Sequence, residues 1–264
     1  MGVMRVQNRS YKDLEKGEKE AKIGLDSEKE IMEMINTDMK FRSKILDCLR
    51  TLDFKINDIR RASESKDTKS DIFILSNIGK LGISIKTSTK TSFHQLDRRT
   101  LDGWKNYLEM PDDIYMILKK SILRVAENSR KAKFIIEEDR EKVKNFFLEN
   151  IESIITEIFT KSERNLRLFM VNNKTAKEIY VFRMDEVLKF LIQDASEISF
   201  SSKGIINLGN FITVQRKGGD GKHVKIPKSD WKHPGNNLQF KFSPLKFAEY
   251  VKDGKKIKFC IITY

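Results

Sequence analysis

Within the run DIFILSNIGKLGISIK, residues 71–86, stand three side chains of the types that hydrolyse phosphate esters: Asp71, Ser84 and Lys86. With a turn centred between Asn77 and Ile78, antiparallel pairing is expected to set Asp71 opposite Lys86, Ile72 opposite Ile85, Phe73 opposite Ser84 and Ile74 opposite Ile83. Residues two apart share a face, so Ile72, Ile74, Ile83 and Ile85 would line an apolar side, with Asp71, Ser84 and Lys86 together on the other. A carboxylate beside an ammonium at the open end of a ribbon suits attack on a phosphodiester. The acid holds a divalent cation, while the lysine orients the attacking water and steadies the charge that develops on the phosphate. The same two residues also fit a cross-strand ion pair that stabilises a hairpin by roughly 0.2–1 kcal/mol. Spacing alone leaves both readings open.

Other elements must hold this ribbon. Ser27-Glu28-Lys29-Glu30 has the S-x-x-E form of a capping box, and Ile31, Met34, Ile35, Phe41, Ile45, Leu46 and Leu49 follow at helical spacing, which predicts one helix with Glu28 in its first turn. Residues 61–69, RASESKDTK, read as a solvated connection into the ribbon. Helices are expected from Ser92 to about Leu108, from Asp112 to about Val125 and over 137–159. Beyond Arg164 the pattern changes: NLRLFMV and EIYVFRM read as strands, DEVLKFLIQ as a short helix, and GIINLGNFITVQRK and NLQFKF as further strands. The expected class is α/β (α+β), with a polar N-terminal segment (1–20), a first domain (21–165) and a β-rich second domain (166–264).

The formal charge of +13 is unevenly spread: residues 201–264 carry 13 Lys and Arg against 4 Asp and Glu. Such an end suits a polyanion, since each neutralised phosphate releases counterions. Seven glycines interrupt this region, which argues against the amphipathic basic helix of a membrane-surface protein and for nucleic acid. No run approaches the roughly 18 apolar residues of a membrane span, and residues 1–20 lack the apolar stretch of a secretory signal, so the expected location is the cytoplasm. Cys48 and Cys260 have no metal-ligand spacing and read as packing residues. Gln215, Arg216 and Lys217, followed by Gly218, Gly219 and Asp220, offer side chains suited to base edges and phosphates, and Lys222, Asn236, Asn237, Gln239 and Lys241 lie on the return strand and its approach. A hairpin with ordinary turn chemistry is the alternative. His223, Asp230 and His233 do not have zinc spacing, and Trp231 reads as packing.

Several segments together resemble the PD-(D/E)xK nuclease superfamily, and within it the monomeric type II restriction endonucleases of the HinP-one-I, HhaI and MspI group. Gly24-Leu-Asp-Ser-Glu28-Lys-Glu-Ile31 resembles the G-x-x-x-E first helix, Lys69-Ser70-Asp71-Ile72 the strand of the catalytic aspartate, and Ser84-Ile-Lys86 the x-x-K strand. Phe93-His-Gln95-Leu-Asp97 resembles the helix that follows. Ile205-Ile-Asn207-Leu-Gly209, Val214 to Asp220 and Asn237-Leu-Gln239-Phe-Lys241 resemble the recognition hairpin. The resemblance implies a mixed-sheet nuclease core flanked by helices, plus a C-terminal β-rich lobe that reads DNA. It implies Mg²⁺ held by Asp71, the Ile85 carbonyl and Glu28, with Lys86 as the catalytic lysine and Ser70, Ser84 and Gln95 in supporting roles. Lys90 and the hairpin residues would contact DNA. Ser84 stands where an acidic residue is usual, and KHVKIPKSDWKHPG between Gly221 and Asn236 is longer than the corresponding loop. Implied partners are double-stranded DNA with a short, GCGC-like site and a cognate DNA methyltransferase, the enzyme itself being a monomer or weak dimer. A strand-specific nickase, a subunit of a heterodimeric restriction enzyme and a non-catalytic basic DNA-binding protein are the rival readings.

Overall fold

The computed structural model describes residues 22–65, 68–129, 131–219, 224–254 and 256–264. The expected polar segment 1–20 therefore lies outside the described residues, as do Asp220, Lys222 and His223. In chain order the elements are helix α1 (22–37) and α2 (Met39–Thr51), then strands β1 (Ile59–Glu64), β2 (Ile72–Ser76), β3 (Gly79–Ser88) and β4 (His94–Arg99). Helices α3 (Leu101–Leu108), α4 (Asp112–Glu127), α5 (Arg140–Glu149) and α6 (Ile151–Thr160) lead into β5 (Leu166–Asn173), β6 (Glu178–Arg183) and α7 (Met184–Ala195). Strands β7 (Ile198–Phe200), β8 (Ile206–Leu208), β9 (Ile212–Arg216) and β10 (Leu238–Phe242) precede α8 (Pro244–Gly254) and β11 (Phe259–Thr263). No helix among the described residues is long and apolar enough to cross a membrane.

The chain forms two compact units, each made of non-contiguous segments: 1–91, 162–187 and 247–264 in the first, 92–161 and 188–246 in the second. A contiguous division at residue 165 differs from this, because β5 and β6 belong with β3 in one sheet. That sheet has the order β1-β2-β3-β5-β6-β11, with β3 and β5 parallel and the remaining neighbours antiparallel. On one of its faces Ile72, Ile74, Ile83, Ile85, Leu168, Met170, Ile179, Val181 and Ile262 pack with Ile31 and Ile35 of α1 and Phe41, Ile45, Cys48 and Leu49 of α2. Burying each such side chain stabilises the fold by roughly 1.5–3 kcal/mol. On the other face Phe169, Phe182 and Phe247 stack, with centroids 5.3–6.5 Å apart. Cys48 and Cys260 are free thiols packed into the first core.

The N-terminal helix differs from expectation in two ways. Asp38 interrupts it and caps α2, its Oδ1 accepting from Lys40 N at 2.8 Å and Phe41 N at 3.1 Å. Ser27 is not a cap: the helix already runs through it, and its fully buried hydroxyl accepts from Thr87 Oγ1 of β3 and Asn172 Nδ2 of β5, both at 2.8 Å. Glu30 pairs instead with Lys174 at 2.9 Å. These bonds dock α1 on the sheet beside the β2–β3 ribbon. The polar run 61–69 likewise contains most of an edge strand, β1, which buries only Ile59 and Ala62 and is tied to α1 by the Asn36 amide.

The second unit is built on an antiparallel sheet of order β4-β10-β9-β8-β7. Its buried face carries Ile198, Ile206, Leu208, Ile212, Val214, Leu238, Phe240 and Phe242. Trp104 of α3 packs 4.9 Å from Phe240, and Phe159 of α6 packs 5.2 Å from Phe242. The expected helix from Ser92 to Leu108 is instead strand β4 followed by α3, started by Thr100 capping Gly103 N at 3.1 Å. The expected helix 137–159 breaks at Asn150, whose side chain turns back to the Phe146 carbonyl at 2.9 Å.

Candidate active site

The ribbon pairs two residues away from the expected register. Ile72 faces Ile83, Phe73 faces Gly82 and Ile74 faces Leu81, the pairing that a turn between Asn77 and Ile78 requires; the expected partners are centred instead between Ile78 and Gly79, and Lys86 extends beyond the residues paired with β2. A shift of two preserves every face, which is why the apolar and polar sides still fall as expected. Asp71 N donates to Ile83 O at 2.8 Å and anchors the residue ahead of β2. Its Oδ2 then accepts from Ile85 N at 2.6 Å, Ser84 Oγ at 3.3 Å and Lys86 Nζ at 3.3 Å. The lysine ammonium also donates to Ile85 O at 3.0 Å. The two charged side chains keep 22–23% of their surface exposed, so the pair meets solvent at the ribbon's end, while Ser84 is buried.

Glu28 of α1 lies within electrostatic reach of this pair. Burial first, and then the Asp71 charge, push its carboxyl up to about 7, while the Lys86 ammonium opposes them. Two carboxylates near enough for their charges to repel, with the Ile85 carbonyl bonded to the same lysine as Asp71, would offer oxygen donors of the kind hydrated Mg²⁺ takes. Among the described residues no cluster of three His, Cys, Asp or Glu side chains is already arranged around a point, so such a cation would rest partly on water and phosphate. Ser84 donates its hydroxyl to Asp71 where a third carboxylate would add charge.

Ser70 is buried and commits its hydroxyl to Glu163 at 2.5 Å. Lys90 is exposed just past β3, with its backbone tied to Ser88. Gln95 belongs to β4 in the second unit, not to a helix. There it accepts from Gln239 Nε2 at 2.8 Å.

Strand alternation sorts the residues expected to contact DNA. Along β9, Thr213 and Gln215 point to one face of the sheet, and Ile212, Val214 and Arg216 to the other, buried one. Register carries the polar face across its neighbours: Gln215 lies opposite Gln239, Thr213 opposite Lys241 and Asn207, Gln239 opposite Arg98 and Lys241 opposite Gln95. Arg216, expected at a base edge, is only 6% exposed. Its Nε donates to Asn236 Oδ1 at 2.8 Å, its Nη2 has no partner, and burial lowers its pKa. Asn236 is also withdrawn from any readout, since its Nδ2 donates to the carbonyls of Lys228 at 3.0 Å and Asp230 at 2.7 Å. Asn237 contributes its carbonyl to Lys217 N, and Gly218 and Gly219 turn the chain with φ of 70° and 85°. Partial burial, then Arg98, depress the Lys217 ammonium. His233 accepts from Gly235 N at 2.9 Å and is buried, a structural rather than a ligating arrangement, and Trp231 donates to Asp102 at 3.2 Å. Arg98 and Glu163 went unread in the sequence. Arg98 has a signal in the alternation of β4, whereas Glu163 has none near it in the chain.

Among solved structures, the fold is similar to that of the restriction endonuclease MspI, crystallised in complex with its cognate DNA, with a TM-score of 0.55 over 89% of this chain and 98% of that one, at 15% identity. No curated protein matches the chain in sequence. Residues 56–247, which include the β2–β3 ribbon and the polar sheet face, match the family described as R.HinP1I restriction endonuclease. That match spans well over half of the sequence, and the chain belongs to the R.HinP1I restriction endonuclease family.

Proposed function

We propose that the chain is a Mg²⁺-dependent type II endonuclease that hydrolyses phosphodiester bonds at a short specific sequence in double-stranded DNA. The observation that carries the reading is the convergence of Ser84 Oγ, Ile85 N and Lys86 Nζ on one oxygen of a partly exposed Asp71, at 2.6–3.3 Å. A backbone amide and an ammonium fix this carboxylate, so it needs little reorganisation when substrate arrives. Asp71, the Ile85 carbonyl and Glu28 would hold the cation. When bound, Mg²⁺ would polarise the scissile phosphate and favour ionisation of nearby water. Lys86 Nζ, already between Asp71 and the Ile85 carbonyl, is suited to orient the attacking water and to neutralise charge on the phosphate.

Sequence reading belongs, in this proposal, to the polar face of the second sheet. Gln95 and Gln215 offer amides that can pair with adenine N6 and N7, and Arg98 can take guanine O6 and N7, whereas Gln239, expected at a base edge, is only 6% exposed and bonded to Gln95 and so would support its neighbours. Lys90, Lys217 and Lys241 are suited to phosphates. The enzyme would act as a monomer or weak dimer in the cytoplasm, beside a methyltransferase that protects the same site.

Digestion of a supercoiled plasmid of known sequence tests the reading. With Mg²⁺ it should yield linear fragments with one common end sequence, and with EDTA nothing. Open circles alone would mark a strand-specific nickase, and the absence of cleavage at any Mg²⁺ concentration would leave a DNA-binding protein without this chemistry.

A further inference from the structure

We infer that Glu163 is a positioning residue for the catalytic aspartate, an inference that rests on the phosphodiester-hydrolysis reading above. Strand β1 ends at Glu64 and β2 begins at Ile72, so the amides of Lys69 and Ser70 lie outside both strands. Glu163 Oε2 accepts both of them, each at 2.8 Å, and Oε1 accepts the Ser70 hydroxyl at 2.5 Å. One carboxylate thereby fixes the two residues that precede Asp71.

The same loop also holds the partner strand. Gly82 N donates to Asn165 O at 2.7 Å, and a Cβ at Gly82 would come within 2.2 Å of Ser70 Oγ and 2.9 Å of Asn165 O. Residues 163–165 are thus bonded both to the approach to Asp71 and to the strand that carries Ser84 and Lys86. Ser162 begins this segment in the left-handed region, at φ 60°, a conformation that a serine adopts only where surroundings hold it. Without Glu163, two amide donors lose their acceptor, and Asp71 keeps only its own backbone bonds, to Ile83 O and from Ser65 N.

Three variants of the full chain decide the point: Glu163→Ala, Glu163→Gln and Glu163→Asp. Single-turnover cleavage with Mg²⁺, DNA affinity in EDTA and amide hydrogen exchange across residues 68–73 are read for each. Glu163→Ala should cleave roughly 10–100-fold more slowly, as loss of an outer-shell partner does, with unchanged affinity in EDTA and faster exchange at Ser70 and Asp71. Glu163→Gln should stay close to wild type, since its amide oxygen can accept both N–H groups and its nitrogen can donate to Ser70 Oγ. Wild-type cleavage and exchange in Glu163→Ala would overturn the inference, as would full activity in Glu163→Asp with loss in Glu163→Gln, because charge rather than geometry would then matter. Should Glu163→Ala fail to fold, Glu163→Asp, one methylene short of its donors, is expected to fold and lose rate, and its full activity would overturn the assignment. If the wild type itself cuts no DNA with Mg²⁺, the hydrolytic reading fails, while the exchange rates still report whether Glu163 holds residues 69–71.

Discussion

Replacing Glu28 by glutamine should stabilise the metal-free protein, and do so only where the carboxyl would otherwise ionise. The carboxyl of Glu28 is raised from its ordinary 4.5 to about 7 by burial and the Asp71 charge, against Lys86. At 1.36 kcal/mol per tenfold, full enclosure would correspond to roughly 3 kcal/mol. Glu28 is only half-buried, and solvent screening reduces this to about 1–2 kcal/mol. Below about 4.5 the group is protonated in both folded and unfolded chains, and its neutral form contributes no penalty. As pH rises the unfolded chain ionises first while the folded one retains its proton, so wild-type stability falls until pH passes about 7 and is then level. Thermal melts in EDTA between pH 5 and 8.5 would show Glu28→Gln drawing ahead of wild type, reaching about 2–8 °C above pH 7. A difference that stays constant across this range would refute the electrostatic account of α1 against the ribbon.

Lys86→Ala and Asp71→Ala should each lower single-turnover cleavage by roughly 10²–10³-fold while leaving DNA binding in EDTA largely intact; wild-type rates in either would remove the proposed chemistry. Gly82→Ala forces a Cβ against Ser70 and Asn165, so it should cost about 1–3 kcal/mol in denaturant melts and slow cleavage, and an unchanged midpoint would show that this contact yields freely. In the second unit, Asn236→Ala leaves the buried Arg216 without its acceptor and should destabilise by about 1–3 kcal/mol, whereas Arg216→Met should come within about 1 kcal/mol of wild type or exceed it. The opposite order would mean that the guanidinium is better satisfied than its bonds suggest. Gln215→Ala should reduce discrimination between cognate and altered sites by about 1–3 kcal/mol in competition binding, and a uniform loss across sequences would make Gln215 a backbone contact.

Local patterns exposed the ribbon because its Ile residues alternate with the polar ones and the turn lies between Asn77 and Ile78. The turn also implied the observed pairing, and the expected partners, set two residues off it, kept the right faces because a slip of two leaves alternation intact. Arg216 was legible as buried: in ITVQR it shares parity with Ile212 and Val214, but its type drew it toward a base edge, and the alternation was the better guide. Strands β1 and β4 lie at sheet edges, where polar residues on exposed positions blur the pattern, and so RASE read as a connection and HQLDRR as helix. Ser27 had the letters of a capping box, yet its hydroxyl is claimed by Thr87 and Asn172, residues far along the chain. Glu163 meets Ser70 across 93 positions, and nothing in its neighbours announces that meeting. The ingredients of the candidate site were therefore visible, while the supports brought in by long-range folding were not.

Strand β11 completes the first sheet by pairing with β6, and Tyr264 donates to Asn172 Oδ1 at 2.8 Å, the same side chain whose nitrogen holds Ser27 of α1. During synthesis, at roughly 5–20 residues per second, the ribbon bearing Asp71 and Lys86 leaves the ribosome on the order of ten seconds or more before residues 259–264 do. In the later part of that interval, once β6 has been made, its Ile179–Phe182 edge lacks its strand partner and offers a template for association between nascent chains. A chain stopped before Phe259 would thus carry Asp71 and Lys86 on a sheet that still has an open edge.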